Sequence, residues 1–168
     1  MGTMFDYRTI VVGTDGSQLA APTVSRAAWL AAHNDADLVI VCAYADLSPR
    51  QEAHAMGTLG DPRRAPVSGR AAASGALAAA VAVAQEEGAT ISAALLIDGE
   101  PANALLTAAK ERLADLVVVG ALRDTSIADR LLGTVATDVV RRAECEVLVV
   151  RPRRDATDMP PAPEEGST

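Results

Sequence analysis

Aromatic side chains are nearly missing: Phe, Trp and Tyr together make up 2% of the 168 residues. The core must therefore come from Ala, Val, Leu and Ile, and hydrophobic residues at 49% supply enough of them to exclude general disorder. Lysine is scarcer still, with Lys110 alone beside fourteen arginines. It sits inside a helical pattern, not after a Gly-rich turn, which excludes a Walker loop. Cysteine occurs twice, and Cys42 and Cys145 show neither CxxC spacing nor a disulfide framework; they read as thiols in a reducing compartment. No apolar run approaches the ~20 residues of a membrane span. Asp6, Arg8, Asp15 and Ser17 break up any leader-like start. A soluble cytoplasmic protein with no membrane partner is expected.

Positive charge is also short. A formal net charge of −7 argues against a nucleic-acid partner, which would call for a basic footprint. The deficit is uneven, because seven arginines face five acids between Arg123 and Arg154. A local basic zone in an acidic protein suits a small anion better than a polynucleotide. The length fits one domain, which at this size buries about 70% of the surface its unfolded chain exposes.

What the chain does have is alternation. Thr9 to Gly13 (TIVVG), Asp37 to Tyr44 (DLVIVCAY), Ile91 to Ile97, Leu116 to Val119 and Val147 to Val150 are short apolar runs that read as strands. Between them lie helical patterns. Val24, Ala27, Ala28 and Ala31 share one face, with Pro22 in the first turn. Ala71 to Gln85 aligns Leu77, Val81 and Ala84 and stops at Gly88. Pro101 opens a stripe of Leu105, Leu106, Ala109 and Leu113, and Thr134 to Arg142 is the last helix. Strands apolar on both faces and separated by helices predict an α/β fold: a doubly wound, five-stranded parallel sheet in the order 3-2-1-4-5, helices on both faces. Residues 7–152 form that domain. A long loop over 45–69, rich in Pro and Gly, is expected to be mobile. An acidic, Pro-rich tail at 153–168 is expected to be disordered.

Such sheets bind ligands beyond the C-terminal strand ends, where the winding reverses. The segments to inspect are Thr14 to Ser17, Ala43 to Asp46, Asp98 to Pro101 and the stretch after Gly120. No GxGxxG follows the first strand and no GxSxG elbow is present. A phosphoacceptor domain of the receiver type lacks its late lysine. His33 and His54 read as solvated surface residues, and no His/Cys/Asp group has metal-ligand spacing. The stretch GALRDTSIADRLLGTV, from Gly120 to Val135, remains. Its second glycine, Gly133, meets Thr134 at a helix start, where the N–H groups of Gly133, Thr134 and Val135 offer an anion site. The plainer reading makes Gly133 a turn residue and Thr134 an ordinary cap.

The phrases VVGTDGS, DLVIVCAY, ADLVVVG and RLLGTVATDVVRRAECEVLVVRP, in this order and spacing, resemble the universal stress protein family over Tyr7 to Pro152. That resemblance implies a small cytoplasmic stress-response protein, usually a dimer. One branch of the family binds ATP or another adenine nucleotide and a second branch binds none. The binding branch carries Gly, two residues, Gly, nine residues, Gly and Ser/Thr. Gly120, Gly133 and Thr134 match, Arg123 stands at the second glycine, Val135 follows as expected, and Ala136 replaces a frequent hydroxyl residue. Asp15 corresponds to the family aspartate that approaches ribose and phosphates, with Thr14 beside it. Ala43 corresponds to the adenine-facing strand end, and Val119 precedes the first glycine.

Arg123 can act in either direction. A Cβ where the backbone needs positive φ costs on the order of 1 kcal/mol. A guanidinium bound to phosphate returns ~1.5–3 kcal/mol. Two readings therefore stand: a sensor of ATP or cAMP at a variant site, with or without Mg2+, or a dimeric interaction module whose site is vestigial. Enzymatic activity is not expected beyond very slow ATP hydrolysis assisted by Asp15. A homodimer is expected to form through the last strand, and the sequence specifies no regulatory protein partner.

Overall fold

The computed structural model describes residues 6–46, 50, 67–121 and 132–151. Its strands are β1 (Thr9–Gly13), β2 (Asp37–Ala45), β3 (Val67–Ser68), β4 (Thr90–Asp98), β5 (Leu116–Gly120) and β6 (Glu146–Val150). The helices are α1 (Ala20–Asn34), α2 (Arg70–Glu86), α3 (Pro101–Glu111) and α4 (Thr134–Arg142). All pairings are parallel, and the five main strands run β4-β2-β1-β5-β6. This is the order 3-2-1-4-5 expected from the sequence. The winding reverses between β1 and β5.

Each central strand sends alternate side chains into two separate cores, as the two-residue pleat requires. Ile10, Val12, Leu38, Ile40, Leu116 and Val118 pack toward α1 and α2. Val11, Val39, Val41, Val117 and Val119 pack toward α3 and α4. The facing helices present mostly alanine: Ala27, Ala28 and Ala31 on α1, Ala73, Ala80 and Ala84 on α2, Ala102, Ala104, Ala108 and Ala109 on α3. Small side chains allow close helix–sheet approach, which is how a domain almost without aromatics fills its interior. Neither cysteine is in a disulfide. Cys42 lies on β2 and Cys145 beside β6, three strand steps of ~4.8 Å apart, beyond disulfide reach. Among the described residues no helix is long and apolar enough to cross a membrane.

Two expectations need correction. The stretch 45–69 is not wholly without regular structure, since Val67 and Ser68 form β3 beside Tyr44 and Ala45. Most of that stretch, with His54, lies outside the described residues, as does the tail. Leu113 does not belong to the α3 stripe. It follows the helix with φ 51° and is 84% exposed, while Leu105 and Ala109 are buried. The reason is a Schellman ending: Leu113 N–H donates to the Lys110 carbonyl (3.3 Å) and Ala114 N–H to that of Ala109 (2.9 Å). The same device ends α2, where Gly88 takes the left-handed position with φ 79°. Leu113 fills that position without the glycine that would mark it.

These two leucines therefore differ in what they support. Leu105→Ala empties a buried site and is expected to cost about 2–5 kcal/mol. Leu113→Gly relieves a left-handed residue with a Cβ and should leave stability unchanged or raise it by up to about 1 kcal/mol. Urea midpoints of the two variants check this, and a loss at Leu113 comparable to that at Leu105 would contradict the ending described.

Candidate functional site

Beyond the C-terminal end of β1, Thr14 N–H donates to the Val41 carbonyl at 2.9 Å, so the ladder with β2 continues one residue past the strand. The chain then turns on its own side chains. Thr14 Oγ1 accepts from Gly16 N–H (3.3 Å) and Asp15 Oδ1 accepts from Ser17 N–H (2.9 Å). The latter is an Asx turn, and it fixes the half-buried Asp15 carboxylate above the sheet. Gly16 has φ 75°, and a Cβ added there would stand 2.7 Å from Ala76 Cβ of α2. The family match singled out Asp15 but not Gly16, although Asp-Gly is a recognisable turn signal.

At the end of β2, Ala43 is buried on the α3–α4 side of the sheet. Gly99 N–H donates to the Tyr44 carbonyl at 2.9 Å and holds the β4–α3 turn against β2. At the end of β5, Val119 is buried and Gly120 half-buried. Ala121 extends the ladder to Val150 (2.8 Å), and its carbonyl accepts from Gly133 N–H at 2.6 Å. The two ends of the 122–131 segment are thus tied together beside β5. Arg123 lies outside the described residues.

This geometry corrects one expectation. Gly133 N–H does not face outward; it is taken by Ala121. Thr134 and Val135 form the first turn of α4, whose leading N–H groups lack acceptors within the helix. The N-cap residue Gly133 has no side chain with which to cap that turn. Gly133 has φ −62° and ψ 164°, ordinary extended values, so its glycine is not demanded by its own backbone angles. Ala136 is buried, and the next hydroxyl, Thr137 Oγ1, donates to the Gly133 carbonyl at 3.0 Å. The neighbouring helix start differs. Glu100 caps α3 with both carboxylate oxygens, accepting from Ala102 N–H and Asn103 N–H at 3.0 Å each. An acid already occupies that terminus. Sequence reading passed over Glu100, though an acid just before Pro101 is a legible cap signal.

The arrangement places Thr14, Asp15, Ala43, Val119, Gly120, Gly133, Thr134 and Val135 along one edge of the sheet, around the reversal between β1 and β5. Elsewhere, His33 sits in the last turn of α1, its Nδ1 2.8 Å from the Trp29 carbonyl and its ring stacked on Trp29 at 3.9 Å. Among the described residues no group of three His, Cys, Asp or Glu could hold a metal ion. At the opposite edge of the sheet, a cavity of about 140 Å³ opens between α3 and α4, lined by Leu106, Lys110, Arg142 and Cys145 among others. Burial pushes the Cys145 thiol up, reinforced by the charges of Asp115, Glu146 and Glu144.

An open parallel sheet with loops gathered at its switch point belongs to the doubly wound α/β class. The family model for the universal stress protein family matches residues 6–151. A universal stress protein of Mycobacterium tuberculosis is 42% identical over 147 residues, 88% of this chain and 98% of the relative. A crystal structure of a universal stress protein in complex with cAMP is 36% identical, with TM-score 0.66 over 88% of this chain and 98% of that one. A universal stress protein from Archaeoglobus fulgidus in complex with dAMP shares the fold at 22% identity and TM-score 0.58, covering 86% and 98%. The chain belongs to the universal stress protein family.

The Cys145 environment has a direct consequence. A thiol with a raised pKa carries less thiolate at neutral pH. Iodoacetamide should modify Cys145 more slowly than a small-molecule thiol at pH 7.5, with the gap narrowing as the pH rises. Faster labelling than the reference thiol would contradict the assignment.

Proposed function

We propose that this protein is a cytoplasmic stress-response regulator that binds an adenine nucleotide, ATP or a cyclic monophosphate, beyond the C-terminal ends of β1 and β5. The observation that carries the reading is the placement of the Asp15 turn after β1 and the start of α4 after β5, on the two sides of the switch point. The likeness to a family member in complex with cAMP supports it. On this reading the phosphates meet the first turn of α4 at Thr134 and Val135, close to Gly133, where the helix dipole favours negative charge. Asp15 and Thr14 lie toward the ribose, and Ala43 and Val119 bound the base. Arg123, at the second glycine of the motif, supplies a phosphate partner. A Mg2+ ion accompanying ATP would be carried by its phosphates and Asp15. The site binds rather than turns over, with at most very slow ATP hydrolysis.

The same reading makes the protein a homodimer through β6. The sheet's two edges are unequal. β4 carries a register shift between Leu38 and Val39 of its partner strand, leaving Ser92 as an extra residue. Such a bulge discourages pairing with another chain. β6 keeps unbroken register with β5 from Glu146 to Val150. The exposed Val140 lies on α4, the helix that packs on β6. Sedimentation at micromolar concentration should give a dimer, and monomer alone would remove this part of the proposal.

Calorimetry against cAMP, and against ATP with and without Mg2+, tests the binding reading. Gly133→Val should abolish binding, because its side chain fills the space beside the α4 start. Arg123→Gly should weaken binding by about ten- to a hundredfold if the guanidinium meets phosphate. Tighter binding by Arg123→Gly would instead make Arg123 an obstruction. If neither the native protein nor Arg123→Gly binds at millimolar concentration, the alternative holds: a stress-associated interaction module with a vestigial site. Loss of the Glu100 cap makes a useful control. Glu100→Ala should cost about 1 kcal/mol of stability while leaving nucleotide affinity within about twofold, since α3 is not the phosphate-facing helix.

A further inference from the structure

We infer that Ala76, on the far side of the sheet from the base-facing residues, is a positioning residue for the nucleotide site, acting through Gly16. The inference rests on the nucleotide-binding reading above and adds a residue that no sequence motif marks. The Asp15 carboxylate is oriented by its bond from Ser17 N–H, and Gly16 lies between these two residues. Gly16 adopts φ 75°, where L side chains are strained. Its α-carbon faces α2 so closely that an added Cβ would be 2.7 Å from Ala76 Cβ and 3.4 Å from Ala76 Cα. Neither atom belongs to a flexible side-chain end that could swing aside. One contact surface therefore sets both the turn's conformation and its height above the sheet.

α2 is itself anchored. Ala73, Leu77, Ala80 and Ala84 are buried against the sheet on the same helix. A larger residue at position 76 cannot be accommodated by moving α2 without disturbing that row, so the β1–α1 turn must move instead. The displaced atoms are those that hold the Asp15 carboxylate. Ala76 acts through its close approach to the backbone of Gly16, and that makes its role separable from general packing.

A double-mutant cycle isolates the contact, because Ala76→Gly removes the atom that a Cβ at position 16 would strike. Three variants are compared with the native chain: Gly16→Ala, Ala76→Gly and the double substitution. Two readouts are taken: cAMP and ATP affinity by calorimetry, and hydrogen exchange of the Ser17 amide by NMR, which needs no ligand. Gly16→Ala should weaken nucleotide binding and accelerate Ser17 exchange, and Ala76→Gly in the same chain should recover the part due to the clash, leaving the part due to backbone strain at φ 75°. The expected coupling is roughly three- to a hundredfold, the range for residues in direct contact. Ala76→Val should reproduce the effect of Gly16→Ala with position 16 untouched. Urea midpoints and the exchange of core amides in β2 serve as the measure of general destabilisation. A purely structural role would move these in step with Ser17.

Additive effects of the two substitutions on Ser17 exchange would overturn the inference. So would Ser17 and β2 amides changing together. If the native protein binds no adenine nucleotide but the cycle still couples at Ser17, the positioning contact stands and the nucleotide reading falls. If nucleotide binds and the cycle is additive, the reverse holds.

Discussion

Burial of β1 on both faces is the constraint from which the remaining architecture follows. Ile10, Val11 and Val12 are all fully inaccessible, so this strand needs a strand on each side and helices above and below. β2 and β5 meet the first need, and two helix pairs meet the second. Parallel neighbours require crossovers, and right-handed crossovers in opposite directions from β1 create the reversal between β1 and β5. The candidate site sits there for that reason. No loop had to be placed specially, because the C-terminal ends of β1 and β5 are adjacent once both strands pair with the same core.

Within that edge, the treatment of helix termini decides where negative charge can be received. Four helices begin on this side of the sheet. Glu100 satisfies the start of α3 with its own carboxylate, and Asp46 Oδ1 accepts from Arg70 N–H at the start of α2 (3.3 Å). The turn before α1 is organised by Asp15. Acids thus accept from first-turn amides at two of the four starts, α2 and α3. At α4 the N-cap residue is Gly133, which has no side chain with which to cap the turn. A helix start alone is never diagnostic, and what bears on the candidate site is that α4 begins after β5, at the switch point.

Much of this was legible from the residues. The alternating apolar runs of DLVIVCAY and the β-branched TIVVG fixed strands to within a residue or two, because a strand buried on both faces leaves little freedom of register. Pro101 and Gly88 marked their helix ends through backbone rules that leave few alternatives. Leu113 misled because a left-handed position occupied by leucine looks, in the sequence, like one more turn of stripe. Ser92 was unreadable for a related reason: a bulge inserts one residue without altering composition. At the site, Asp15 and Thr134 were visible through the family motif. Gly16 and Glu100 were missed because their roles depend on what stands opposite, Ala76 in one case and two amide groups in the other. The tie from Gly133 N–H to the Ala121 carbonyl joins positions twelve apart across a segment whose sequence does not disclose its closure.

That last bond changes the balance at Arg123. A helix start offering Gly133, Thr134 and Val135 would give a phosphate three backbone donors, and the Ala121 tie removes the first. Ala136 removes a hydroxyl, and Thr137 directs its own toward the Gly133 carbonyl. Hydrogen bonds to a charged group contribute roughly 1.5–3 kcal/mol each, so the loss of two donors would weaken phosphate binding substantially unless another group replaced them. The segment joining β5 to α4 carries Arg123 and Arg130, and Arg151 follows β6 at the same end of the sheet. Arg123 follows Gly120 by three residues, at the motif position nearest the strand end. A guanidinium there offers a forked pair of donors, matching the number lost. On the nucleotide-binding reading proposed above, the departures from the family pattern at Arg123 and Ala136 and the tied Gly133 N–H would be one adjustment, an exchange of backbone and hydroxyl donors for an arginine.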